Sequence, residues 1–113
     1  MSAPPRLTRR LALEEPQTVS DGAGGFTESW VPLGTLWAEM RAGSGREGTR
    51  SAVPLGRVAW RITVPMAPPD APSRPRAGQR FREGTRLFRI HAVAESDTRG
   101  AWLTCFAEEE EPA

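Results

Sequence analysis

Chemistry at neutral pH usually runs through histidine or cysteine, and this sequence holds one of each, His91 and Cys105. His91 falls in a predicted strand with no second histidine, so no triad or paired base can be built around it. One Cys and one His lack zinc spacing, and the glutamates near the end lack the glycine-centred loop of a calcium hand. "AGSGREG" (42 to 48) has no glycine two residues before Ser44, so it is no nucleophile elbow. Neither it nor "DGAGGF" (21 to 26) matches a phosphate-binding loop. The inventory predicts no enzyme, no metal and no cofactor.

The remaining chemistry is recognition. All 15 basic residues are arginine and none is lysine, and the planar arginine fork suits interfaces and phosphate contacts. Trp60 lies between Arg57 and Arg61, the mixture with which small barrels stack single-stranded nucleic acid in a basic groove. Alternation separates them, however: Trp60 shares a face with Val58, Ile62 and Val64, and both arginines point away. Trp30, Trp37 and Trp102 also stand in apolar strand runs, so all four tryptophans are expected in the core. A single-stranded nucleic-acid-binding barrel stays as an alternative.

The elements that position these residues fit one domain spanning residues 1–113, with a short arm at 1–5 and an acidic tail at 108–113. Hydrophobic residues make up 38%, Gly and Pro 11 each, and the formal charge is +1, so turns and loops take a large share and no strong field selects a partner. A single cysteine excludes an internal disulfide. No signal-peptide pattern opens the chain and no run nears the ~20 apolar residues of a membrane span. A soluble protein made in the cytoplasm, without a membrane partner, is expected.

"RLTRRLAL" (6 to 13) alternates through Leu7, Leu11 and Leu13, with Arg9 out of step, and predicts a first strand. "EEPQTVSDGAGGF" then carries the Pro and Gly punctuation of a hairpin connection. In "FTESWVPLGTLWAEM", Phe26, Glu28 and Trp30 share one parity and Trp37 and Glu39 the other, so a bulge or break is expected around Pro32 and Gly34. Residues 41–56 read as a mobile loop with at most one helical turn, started by the Ser44 and Glu47 capping pair. "RVAWRITV" (57 to 64) alternates cleanly. Five prolines in 65–78 predict an extended loop or arm. "QRFRE", "RLFRIHAV" and "WLTCFA" supply further strands, with Phe88, Ile90, Ala92 and Ala94 on one parity, and "EEEE" (108 to 111) is expected frayed and solvated. The fold class is all-β: a small antiparallel β-barrel of about six strands, with long loops and at most a short helix.

In order and spacing, "GGFTESW", "LWAEM", "SGRE" and "WRITV", within residues 6–108, resemble the head-tail joining, or head-closure, family of long-tailed bacteriophages. Similar proteins occur in phage-derived gene transfer agents. The resemblance implies a stopper subunit in a homo-oligomeric ring, expected to be a hexamer. Its neighbours would be the portal-bound adaptor on the head side and the tail terminator or tail tube on the other, with double-stranded DNA in the channel without sequence specificity. Another connector or tail-terminator ring component is the alternative within this class. The implied location is the host bacterial cytoplasm during assembly, then the head-tail junction of the particle. In similar proteins the loop between the second and third main strands closes the channel. By position this makes Arg46, Glu47 and Arg50 its contacts, with Gly43, Ser44, Gly45 and Gly48 in the same loop and its glycines as hinges. Ring assembly would also use extended arms, and Pro68, Pro69, Arg74 and Arg76 are the candidates.

Overall fold

The computed structural model describes residues 4–43, 58–96 and 99–110. Six strands carry the fold: β1 (Arg9–Ser20), β2 (Phe26–Ala42), β3 (Ala59–Pro65), β4 (Arg80–Glu83), β5 (Arg86–Glu95) and β6 (Trp102–Glu110). They pair antiparallel in the order β1-β2-β3-β6-β5-β4 and close on themselves as a barrel, β1 meeting β4 through Ala12 to Glu14. The described residues include no helix. The expected all-β architecture and strand number are those of the protein.

Alternation fills the interior. Leu11 and Leu13 of β1, Ile62 and Val64 of β3, Phe81 of β4, Phe88 and Ile90 of β5, and Leu103 and Cys105 of β6 are buried together, flanked by Leu36, Ala38 and Met40 of β2. Each large side chain so buried contributes roughly 1.5–3 kcal/mol of transfer free energy. Burial pushes the Cys105 thiol up to about 12, which keeps it protonated and inert.

Two bulges reset the pattern. On β2, Gly34 pairs with Leu13 and Pro32 with Glu14, leaving Leu33 between them. Gly34 has φ +144°, a conformation side-chain-bearing residues rarely adopt. The expected disturbance is therefore a bulge in one continuous 17-residue strand. On β5, Ile90 pairs with Ala107 and Ala92 with Phe106, so His91 is extra. Ala92 and Ala94 consequently turn outward, correcting the face expected for them, and Val93 packs against the core instead.

β1 and β2 outrun the barrel. β1 is paired on both sides only at Ala12–Glu14, and β2 meets β3 only through Glu39–Ala42. Past Glu14 the two strands pair only with each other, forming a finger closed by the turn at 21–25. The expected connection over 14–26 is thus largely strand, and Pro16 and Pro32 fit because each lies where the ladder has a free side. The molecule measures 56 × 34 × 24 Å with a radius of gyration of 15.0 Å, against about 13 Å for a compact chain of this length.

Candidate functional site

The end of the barrel from which residues 44–57 depart is closed by charge. On the inward face, the apolar layer gives way to Arg9, Trp60, Glu83, Arg86 and Glu109. Arg9 donates to both oxygens of Glu83, Nε at 2.7 Å and Nη2 at 2.5 Å. Arg86 grips Glu109 the same way, at 2.9 and 3.1 Å, and its Nη1 lies 3.7 Å from Glu83. Trp60 Nε1 donates to Glu109 Oε1 at 3.0 Å, and its ring meets Phe88 edge-on at 6.1 Å. Arg86 lies over both rings. Arg9, out of step in the sequence, is thus an inward-facing residue with a carboxylate to receive it.

These contacts hold the charges in place. The Arg9 hydrogen bonds lower the Glu83 carboxyl below the ordinary range, and those of Arg86 do the same for Glu109. Arg9 and Arg86 are raised reciprocally by Glu83 and Glu109. Three of the glutamates expected to form a frayed tail from 108 are strand here: Glu108 is buried, Glu109 completes the network and Glu110 pairs with Arg89 at 3.5 Å, while Glu111 lies outside the described residues. Arginines on β5 receive them, which a local charge count could not reveal.

At the base of the same loop, Gly43 N–H donates to Ala59 O at 2.6 Å and Val58 O accepts from Glu109 N at 2.8 Å. A Cβ on Gly43 would stand 3.1 Å from Ala59 O and 3.2 Å from Ala59 Cβ, so this position requires close backbone approach. Ser44, Gly45, Arg46, Glu47, Gly48 and Arg50, together with Arg57, lie outside the described residues.

A second cluster braces the finger. Glu14 is buried and accepts from Arg80 Nε and Arg82 Nε, both at 2.7 Å. Burial pushes its carboxyl up, but the hydrogen bonds from Arg82 and Arg80 outweigh that and leave it lowered. Trp30, half-buried, lies beneath Arg80 and Arg89, with guanidinium-to-ring distances of 4.1 and 4.9 Å. At the fingertip, Asp21 Oδ1 accepts from the backbone of Ala23 and Gly25 at 2.8 and 3.0 Å, and Gly22 and Gly24 take positive φ.

The proline-rich segment is not an extended arm. Pro75 is fully buried, and Ala67 and Gln79 nearly so. Arg74 donates to Ala67 O at 2.8 Å and Arg76 to Pro69 O at 2.5 Å. Gly78 N–H and Gln79 O both bond Ile90. Side chains satisfy carbonyls that the prolines cannot pair, and the segment folds back on its own barrel. Pro68 and Pro69 stay exposed.

Trp60 packs against the core as expected, but the other three tryptophans depart from expectation. Trp60 is half-buried at the barrel mouth, Trp30 and Trp102 are half-buried, and Trp37 is 54% exposed. For Trp30 and Trp37 the Leu33 bulge is the reason: it shifts β2 by one residue, so Phe26, Glu28, Trp30, Trp37 and Glu39 all face outward. The parity break in the sequence was the signal that could have found them. Among the described residues, no three His, Cys, Asp or Glu side chains stand together as a metal site, and His91 is exposed on its bulge.

The chain belongs to the phage head completion protein family, whose pattern it matches over residues 2–110. A chain in the virion of a native gene transfer agent particle is 53% identical, with TM-score 0.79, over 97% of this chain and 100% of that one. Protein SF1141 from Shigella flexneri 2a, known from a solution structure, shares the fold at TM-score 0.66 and 23% identity, over 96% of each chain. No curated protein matches. Family membership gives the chain a structural role in head closure.

Proposed function

We propose that this chain is the stopper of a tailed phage or gene transfer agent particle. Copies form a ring between the portal-bound adaptor and the tail, and the loop over 41–56, whose first two residues are the end of β2, gates the DNA channel. The observation that carries the reading is the 53% identity, over essentially the whole of both chains, to a component of a gene transfer agent virion. Two features of the barrel mouth support the gating element: a base fixed through Gly43 and Ala59, and the ion network behind it. Such a base lets a glycine-rich segment swing while the barrel stays rigid. Arg46, Glu47 and Arg50 are the proposed contacts within the loop. Pro68 and Pro69 are the part of the proline-rich loop offered to a neighbouring protein.

Deleting Gly43–Gly48 tests the gate. Particles carrying the deletion should leak DNA or lack tails, measured by nuclease-protected DNA per particle and electron microscopy; normal DNA retention and normal infectivity or transfer would reject gating. Mass spectrometry of density-purified particles checks the assembly separately, through a small fixed ratio of this chain to the portal. A second reading draws on Trp37 exposed beside Arg10: a barrel that stacks single-stranded nucleic acid. Salt-dependent oligonucleotide affinity with tryptophan quenching would favour it.

A further inference from the structure

The finger is an unusual element to leave in water. Two strands with no third neighbour are at best marginally stable on their own, and both outer edges offer free ladder groups. Apolar side chains stand on both of its faces: Val19 and Val31 on one, Phe26, 72% exposed, on the other. Residues 15–32 hold Glu15, Asp21 and Glu28 and no arginine, a charge of −3 that leaves +4 on the rest of a chain whose total is +1.

The barrel carries a surface of opposite character. On the outer wall, Arg10 pairs across the ladder with Trp37, and Arg41 with Arg61, which in turn pairs with Phe106. Trp37 and Phe106 are exposed large hydrophobics. Arg41 and Arg61 face each other directly, an arrangement that repels within a sheet. Glu39 lies 3.2 Å from Arg41. Arg10 has no ion-pair partner among the described residues. This wall spans β1, β2, β3 and β6, whereas Trp30 of the finger leans on the arginines of β4 and β5.

We infer that the finger of one copy seats on the Arg10, Trp37, Arg41 and Phe106 wall of the next copy. The inference rests on the ring reading above and names the contact that builds the ring. An acidic, apolar-tipped ribbon and a basic, aromatic wall occur on different sides of one chain. Two different, complementary patches make a head-to-tail contact, and such a contact generates a ring when its rotation closes. The finger's acids oppose nucleic acid as its occupant, since phosphate is repelled by the same charge.

Thiol cross-linking tests this directly, because buried Cys105 does not react. Thr27→Cys on the finger and Thr35→Cys beside the wall change exposed residues and leave Phe26 and Trp37 intact. Particles carrying both, treated with a short bis-maleimide, should give a ladder of covalent multimers beyond the dimer on a denaturing gel. Each single-cysteine chain should stay monomeric. Phe26→Ser or Trp37→Ser in the double-cysteine background should remove the ladder without shifting the thermal melt of the purified chain. The inference fails if both thiols label with a monofunctional maleimide yet no ladder forms. It also fails if Thr27→Cys alone yields dimers, or if the finger cross-links to another particle protein. Copy number on the same particles separates the two claims: several copies per portal without a ladder overturns only the finger contact, and absence from particles overturns the ring and the contact together.

Discussion

The barrel body and the finger are built from the same two strands under opposite rules. From Arg9 to Leu13, β1 alternates into a closed interior, and its inward side chains meet Phe81, Phe88 and Ile90. From Glu15 to Ser20 the same alternation continues with no interior to serve, and side chains on both faces meet water. Burial stabilises the first region; the second holds its shape through ladder bonds, the Asp21 turn and Trp30 braced under two arginines. Stability is thus concentrated in the closed interior, and the exposed finger is left available for contact with another molecule.

Substitutions can break this contrast, beginning with the largest effect. Phe88→Ala removes a fully buried ring and should cost about 3–5 kcal/mol, read as a lower denaturant midpoint; a loss under about 1 kcal/mol would mean that the barrel interior is not the stabilising region. Glu14→Ala leaves Arg80 and Arg82 without their shared carboxylate. Breaking a buried pair costs about 3–5 kcal/mol, and because Arg82 is partly exposed we expect about 2–3 kcal/mol. Gly34→Ala forces a side chain into φ +144° at the junction of the two regions and should cost about 1–2 kcal/mol.

Acid should act on the braces before the core. Glu14, Glu83 and Glu109 have lowered pKa values, so each contributes stability that is fully present above the ordinary glutamate value of about 4.3. That contribution is lost as pH falls through the lower folded-state values. The urea midpoint should therefore hold from neutrality to about pH 5 and decline below it, and Glu109→Gln should make the decline shallower. The smallest effect belongs to the finger: Phe26→Ser should shift the stability of the isolated chain by less than about 0.5 kcal/mol. A larger loss would show that Phe26 packs within its own chain.

Much of the barrel was legible because burial imposes period two. Ile62 and Val64, and Leu11 and Leu13, face inward wherever a closed sheet of this size is built, whereas on β6 Leu103 and Cys105 take the interior in place of the expected Trp102. Extra residues hid the rest. Leu33 and His91 each shift a strand by one, so Trp37 was expected inside and is outside, and Ala92 followed it. Glu109 looked like a solvated tail because its partners, Trp60 and Arg86, are remote in sequence and adjacent only across the ladder. The proline-rich segment looked extended because prolines bar a ladder, yet Arg74 and Arg76 supply the missing donors from side chains. The sequence pointed to residues 43–50 through resemblance, whereas the finger and its facing wall emerged only once strand lengths and register were known.

The Leu33 bulge also has an evolutionary reading. Beyond it, with Trp30 as the anchor, outward side chains of the finger can drift without touching a single member of the interior. A lineage that exchanges heads, tails or neighbours can then retune its fit at this ribbon while inheriting an unchanged scaffold, and sequence divergence should accumulate unevenly on the two sides of one residue.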